Sequence, residues 1–184
     1  YRAPTEGRKG KLRLDFNENT VGCSIQVIEA LRKVEVEDVA TYPDYSKFKK
    51  KLATYLGVGI NNVLLTNGTD EAIKVVMDAY VEKGDEIVLP VPTFAMFDVY
   101  AQLAEAEVVK VLYNADLSFS LKETLDKISD RTRLVILVNP NNPTGTAIRQ
   151  EDIIKIVENG KNSVVLIDEA YYQYCNSSSK DLIK

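Results

Sequence analysis

Short apolar runs alternate with segments of helical spacing along most of this chain. Mostly apolar segments at 86–89, 108–112, 134–138 and 164–167, interrupted only by Glu86 and Lys110, form compact runs of strand length. Between them, residues 70–81, 94–106, 121–128 and 151–159 carry apolar positions at helical spacing, which predicts four helices. Upstream, Val63-Leu64-Leu65 reads as a further strand and residues 12–16 alternate like a short one. A helix is expected over 24–34, with Ile25, Ile28 and Leu31 on one face, and another over 46–56, stopped by Gly57 and Gly59. Strands alternating with helices predict an α/β fold, a three-layer αβα arrangement with a mostly parallel sheet covered on both faces. No repeat or low-complexity stretch interrupts the pattern, and Asn176-Ser177-Ser178-Ser179-Lys180 reads as an exposed loop.

Composition narrows the chemistry. With 184 residues, 45% hydrophobic and 27% charged, the chain is long enough to bury a core. A net charge of -4 gives no basic footprint for nucleic acid. No apolar run approaches the ~20 residues that cross a bilayer, and the first residues show no apolar signal segment. Cys23 and Cys175 suit neither a disulfide framework nor a metal site, so reduced thiols and a cytoplasmic location are expected, and the sequons at Asn67 and Asn176 are read as chance matches. There is no histidine, which removes His-based acid–base chemistry and Ser/His triads.

The loops that follow the strands carry the candidate chemistry. Thr66-Asn67-Gly68-Thr69-Asp70-Glu71 joins a strand to a helix. Free N–H groups at a helix start attract phosphate, and Gly68 lets a ligand approach the backbone. Equally, Thr69 or Asp70 can be a plain helix cap. Phe94, after Val91-Pro92-Thr93, can stack on a flat ring or simply fill the core. Tyr42-Pro43 can be a packed turn. The run 134–138 ends in Asn139-Pro140-Asn141-Asn142-Pro143-Thr144-Gly145, a sharply fixed loop where open α/β sheets bind ligands. The next run ends in Asp168-Glu169-Ala170-Tyr171. A buried Asp168 needs a partner, either a helix lysine or a cationic ring nitrogen that it keeps protonated. Asn142 and the phenol of Tyr171 would then hold an oxygen on the same ring.

Taken together, these segments resemble the N-terminal half of a fold-type-I pyridoxal-phosphate aminotransferase, class I/II, most similar to the histidinol-phosphate aminotransferases. The resemblance rests on Leu14-Asp15-Phe16-Asn17-Glu18-Asn19, Thr41-Tyr42-Pro43-Asp44, Asn67 to Glu71, Pro92-Thr93-Phe94, Asn139 to Gly145 and Asp168 to Tyr171, in family order across nearly the whole chain. It implies pyridoxal 5'-phosphate as cofactor. Gly68, Thr69 and Asp70 would hold its phosphate through the helix N-terminus, Phe94 would stack on its ring where relatives often have Tyr, Asn142 and Tyr171 would bind the ring oxygen, and Asp168 would pair with the pyridinium nitrogen. Tyr42 would reach into a neighbouring subunit's phosphate site, which implies a homodimer. Glu18 and Asn19 would lie near an amino-acid-type substrate. The implied domains are an N-terminal arm and interface helix over 1–45 and a partial large cofactor-binding domain over 46–184, with the small C-terminal domain absent.

The implied activity is transamination between histidinol phosphate and 2-oxoglutarate. The lysine that forms the family's Schiff base, and the arginines that bind phosphate and substrate carboxylate, have no counterpart in these 184 residues. Lys47, in Ser46-Lys47-Phe48, imitates the lysine context but precedes the phosphate loop, and Lys180 and Lys184 lie too close to Asp168. The chain alone is therefore expected to be catalytically incomplete: a natural truncation, a proteolysed enzyme or a deliberate half. Other class I/II aminotransferases and a threonine-phosphate decarboxylase-like enzyme share these motifs. A non-catalytic dimerising remnant is the reading from another class. A Rossmann-type nucleotide binder ranks last, because Gly57-Val58-Gly59 ends a helix rather than opening one.

Overall fold

Val135 and Leu137 point to one face of a sheet and Leu134, Ile136 and Val138 to the other, and all five are buried. A strand buried on both faces belongs in the middle of a parallel sheet. In the computed structural model, which describes residues 7–160 and 162–183, that strand is β3 (Thr132–Val138). It lies between β1 (Glu86–Val91) and β4 (Val164–Asp168), with β2 (Glu107–Leu112) outside β1. The order is β2-β1-β3-β4 and every pairing is parallel.

Helices cover both faces. On one, α4 (Gly68–Tyr80) and α5 (Met96–Leu103) contribute Ile73, Met77, Phe97 and Ala101 to a core with Ile87, Leu89, Leu134 and Ile136. On the other, α7 (Gln150–Asn159) brings Ile153 and Ile156 against Val88, Val135 and Leu137, joined by Leu121 and Leu125 of α6 (Leu121–Lys127). The result is the expected αβα layering. The chain separates into two compact units, one up to Lys47 and one from Phe48 onward, with α3 (Ser46–Leu56) starting at the junction.

The first unit holds two short helices, α1 (Ile25–Leu31) and α2 (Val36–Ala40), with no buried residue in either. The helix expected over 24–34 is shorter, ending at Leu31, where the Lys33 and Val34 N–H groups close a turn on the Ala30 and Leu31 carbonyls. A separate helix, α2, follows at 36–40, its start capped by the Asp38 carboxylate, which accepts from the Glu35 N–H at 3.0 Å. Residues 12–16 do not form the expected strand: Leu12 and Leu14 are 82% and 78% exposed, and no neighbouring strand pairs with them. Val63-Leu64-Leu65 is likewise not a strand. It follows a 3-10 turn at Ile60–Asn62, and only Val63 is buried, so it lacks both the partner and the face that a strand needs.

Two further boundaries differ for visible reasons. α5 begins at Met96 rather than at residue 94, because the preceding loop is held to the end of β3 by Asn141. The segment expected as an exposed loop over 176–180 is tied down. Glu169 accepts hydrogen bonds from the Ser178 hydroxyl (2.7 Å) and the Ser179 N–H (2.5 Å). Ser179 is buried, and Leu182 packs on the second core.

Phe97→Ala removes a fully buried ring between α5 and the sheet and is expected to destabilise the chain by about 3–5 kcal/mol. Leu12→Ala, at an exposed position, should stay within about 0.5 kcal/mol. Urea unfolding followed by circular dichroism measures both.

Candidate active site

The sheet order places a topological switch point between β1 and β3: the chain leaves β1 toward β2 on one side and returns to β3 on the other. The β1–β3 ladder extends only to Val88↔Val135, although the strands run on to Val91 and Val138. Pro90 contributes no N–H beyond that point. Beyond that point the two central strands share no ladder pairing, and side chains from their loops make the connection instead.

A small cavity at these strand ends is lined by Thr69, Phe94, Val138, Asn142, Asp168, Ala170 and Tyr171. Five of the residues singled out from sequence therefore meet in one place. Gly68 and Asp70 flank Thr69 at the start of α4, and the charge of Asp70 is felt at Asp168. Tyr42, Glu18 and Asn19 belong to the first unit. There Glu18 forms ion pairs with Arg8 at 2.7 Å and Arg13 at 3.4 Å, the Asn19 amide donates to the Gly22 carbonyl at 2.7 Å, and the Tyr42 side chain is fully exposed.

The start of α4 decides between two readings left open by the sequence. The helix begins at Gly68, whose φ of 73° is one that other residues adopt with strain. Thr69 and Asp70 consequently lie inside the first turn and cannot act as its cap. No side chain caps the Asn67 position either; the Glu71 carboxylate turns back to the Asn67 backbone N–H and side-chain amide. The Gly68 N–H donates to the Thr66 carbonyl at 3.0 Å, and the first-turn N–H groups that follow it are left for a ligand or water, the arrangement that binds an anion.

Phe94 is half-buried and meets Phe97 edge-on, with centroids 6.1 Å apart and an interplanar angle of 89°, so its ring is held from behind by the core. Asp168 is 9% exposed. Its carboxylate accepts from the Ala170 N–H at 3.0 Å, and among the described residues it forms no ion pair: the charges that act on it are those of Asp70 and Glu169. A satisfied lysine pair is therefore not what holds it. Burial pushes the Asp168 pKa up, the Ala170 hydrogen bond opposes this, and the negative charges of Asp70 and Glu169 raise it further. A desolvated carboxylate beside a flat aromatic wall, an amide and a set of free helix N–H groups suits a planar cation carrying an anionic arm.

A roomier groove of about 840 Å³ lies elsewhere, between Tyr55, Leu56, Val157, Val165, Tyr172 and Leu182. Its walls are mainly apolar, and its carboxylate, Glu169, is already engaged by Ser178 and Ser179. The smaller cavity is the better candidate site because polar groups converge on it, not because of its size.

Sequence reasoning passed over Asn141, which is 3% exposed and anchors the loop that carries Asn142. The available signal was an amide side chain amid prolines, where backbone carbonyls have no ladder to join.

The raised pKa of Asp168 has a signed consequence for stability. The folded state holds the proton more tightly than the unfolded chain, so stability falls as pH rises from about 4 through the folded pKa. Asp168→Asn keeps the acceptor for the Ala170 N–H and removes the charge. It is expected to raise the melting temperature at pH 7, with the gain shrinking as pH approaches 4 in a thermal-denaturation series. Gly68→Ala is expected to cost about 1–2 kcal/mol at its positive φ, although a Cβ there would meet nothing within 4 Å.

Residues 9–183 match the family described as aminotransferase class I and II. A histidinol-phosphate aminotransferase of Thermoanaerobacter pseudethanolicus is 37% identical over 177 residues, which cover 94% of this chain and 50% of that protein. One from Clostridium novyi is 34% identical over 184 residues, covering 97% of this chain and 51% of that protein. The solved structure of a histidinol-phosphate aminotransferase from Sinorhizobium meliloti, in complex with pyridoxal-5'-phosphate, aligns with a TM-score of 0.79 at 25% identity, over 90% of this chain and 45% of that one. The chain spans about half the length of the curated relatives it matches. With a parallel αβα sheet, a polar cavity at its switch point and a match over nearly its whole length, this chain belongs to the class I and II aminotransferase family.

Proposed function

We propose that the cavity at the carboxyl ends of β1, β3 and β4 binds pyridoxal 5'-phosphate, and that the protein is a transaminase acting on histidinol phosphate with 2-oxoglutarate as amino acceptor. The observation that carries the cofactor assignment is Asp168: a carboxylate 9% exposed, with no cationic partner among the described residues, in a cavity walled by Phe94 and Asn142. The substrate assignment is supported by the histidinol-phosphate aminotransferases that match at 34–37% identity.

In this reading Asp168 pairs with the ring nitrogen and keeps it protonated. Phe94 packs against the ring, and Asn142 and Tyr171 hold the ring oxygen. The first-turn N–H groups of α4, around Gly68, Thr69 and Asp70, hold the phosphate. Bound there, the cofactor supplies an electron sink for the electrons released when a substrate Cα–H bond breaks. Charge neutralisation at Asp168 works only while water is excluded, and the Phe94 wall and the β3 and β4 ends serve that purpose. Among the described residues the cavity lining contains no amine to carry the proton; Lys47 and Lys180 are exposed, and Lys184 lies outside the described residues.

The reading extends to a cytoplasmic homodimer, with Tyr42 completing the neighbouring subunit's phosphate site. Its support is the full exposure of Tyr42, together with exposed Leu12, Leu14 and Val21 in the same unit. Cys23 and Cys175 are unpaired, and no helix among the described residues is long and apolar enough to cross a membrane.

Titration of pyridoxal phosphate into the chain, followed by visible absorbance and induced circular dichroism, tests the assignment. Saturable binding is expected, weakened roughly tenfold or more in Asp168→Asn through loss of a charge-assisted bond. Unsaturable binding, or equal affinity in the variant, refutes it.

A further inference from the structure

We infer that Asn141 is a positioning residue that locks the Phe94 wall of the cavity to the Asn142 wall across the gap where the central ladder stops. The ladder between β1 and β3 ends at Val88↔Val135, so the loops beyond these strands have no sheet hydrogen bonds to fix their spacing. One buried amide takes over. Its Oδ1 accepts from the Thr93 hydroxyl at 2.7 Å, and its Nδ2 donates to the Pro92 carbonyl at 2.9 Å. The same Nδ2 donates to Thr144 Oγ1 at 2.9 Å, inside its own loop. The Asn141 backbone closes that loop, donating to the Thr146 carbonyl and accepting from the Gly145 N–H, both at 2.8 Å.

The pattern is directional. Both donor protons of the amide and an acceptor lone pair are engaged, and the two bonds that leave the loop land on Pro92 and Thr93, the residues before Phe94. Asn142 follows Asn141 directly in the chain and lines the cavity, whereas Asn141 does not. Asn141 thus acts through its neighbours: it sets the separation between an aromatic wall from the β1 loop and a hydrogen-bonding amide from the β3 loop. A planar ligand is held well only if that separation matches its thickness, and a misplacement of about 1 Å is costly. Asp at this position is isosteric but cannot donate, so it loses the bond to the Pro92 carbonyl, the one that crosses to the β1 loop, while the Thr144 hydroxyl can turn and donate to it.

The ligand readout rests on the proposed cofactor reading, and a second, ligand-free readout stands apart from it. Asn141→Asp and Thr93→Val are compared with the native chain and with Ile156→Val, a control buried on the opposite sheet face against Val135 and Leu137. Pyridoxal phosphate affinity is read by absorbance, and amide hydrogen exchange is read at Phe94, Asn142, Gly145 and Thr146. Asn141→Asp should weaken binding roughly tenfold or more and Thr93→Val less, with faster exchange in both loops together, unchanged exchange in β3, and no affinity change in the control. Folded variants with native affinity and native exchange overturn the inference, as does faster exchange confined to one loop. If the native chain binds no cofactor, the functional reading fails and exchange alone decides the coupling. If Asn141→Asp does not fold, Thr93→Val, which removes one hydroxyl donor, carries the test.

Discussion

Everything at this site depends on the central parallel ladder stopping before its strands do. A sheet buried on both faces satisfies its backbone internally, and where the ladder ends, the freed N–H and C=O groups must find other partners or water. Between β1 and β3 that end comes three residues short of each strand's last position, at Val88↔Val135 against Val91 and Val138. The gap is both a cost and an opportunity. It removes regular pairing at the place where the chain reverses its direction of winding, and it gives side chains there a polar, partly dry space to face. Asn141 answers the cost by donating to the Pro92 carbonyl, while on the other side of β3 the ladder with β4 continues unbroken and the Asn139 N–H donates to the Asp168 carbonyl at 2.8 Å.

The same geometry explains why a destabilising carboxylate is tolerated. Asp168 ends β4, and it is desolvated with a single backbone donor and two acidic neighbours, so its charge is disfavoured in the folded chain. Nothing in the packing requires an acid at that position. Groups held in unfavourable states by a rigid surround are commonly those a ligand later compensates. The surround is rigid here: Val138 and Leu137 are buried, and β3 pairs with β4 through to Val138↔Asp168. The strain is electrostatic rather than steric, and a cationic ring nitrogen would relieve it.

How much was legible in the sequence depended on how far each feature is set by local pattern. The four sheet strands and the helices between them stood out because an apolar run with turn residues on both sides admits few alternatives, and 134–138 is the clearest case. Asp168, Asn142 and Phe94 were legible because each sits at or one loop past such a run, and Thr69 because small residues open a helix there. Val63-Leu64-Leu65 misled, since strand identity is decided by a partner in space and β-branched composition says nothing of whether one exists. The 24–34 helix is overextended because Arg32, Lys33 and Val34 have helix-compatible spacing, yet the chain turns there, with no buried face in α1 to carry it on. The Glu169 clamp and the Asn141 bridge were invisible for the same reason: each joins residues separated in sequence, by 9–10 and 48–49 positions.

Asp168 and Glu169 show how narrow the margin between such roles is. They are adjacent carboxylates at the end of one strand, and the period of two sends them to different surroundings. Asp168 faces the cavity with Phe94 and Asn142, while Glu169 faces the groove beside Tyr55 and gathers the Ser178 and Ser179 donors. One is left short of partners and the other is satisfied. A slip of a single residue in the β3–β4 register would exchange them, placing the satisfied acid in the cavity and the desolvated one at the tail. That register is held by Leu134↔Val164 through Val138↔Asp168, in which every β3 residue is buried. The hydrophobic core of β3 therefore selects which carboxylate is available for chemistry, and it does so without touching either one's charge.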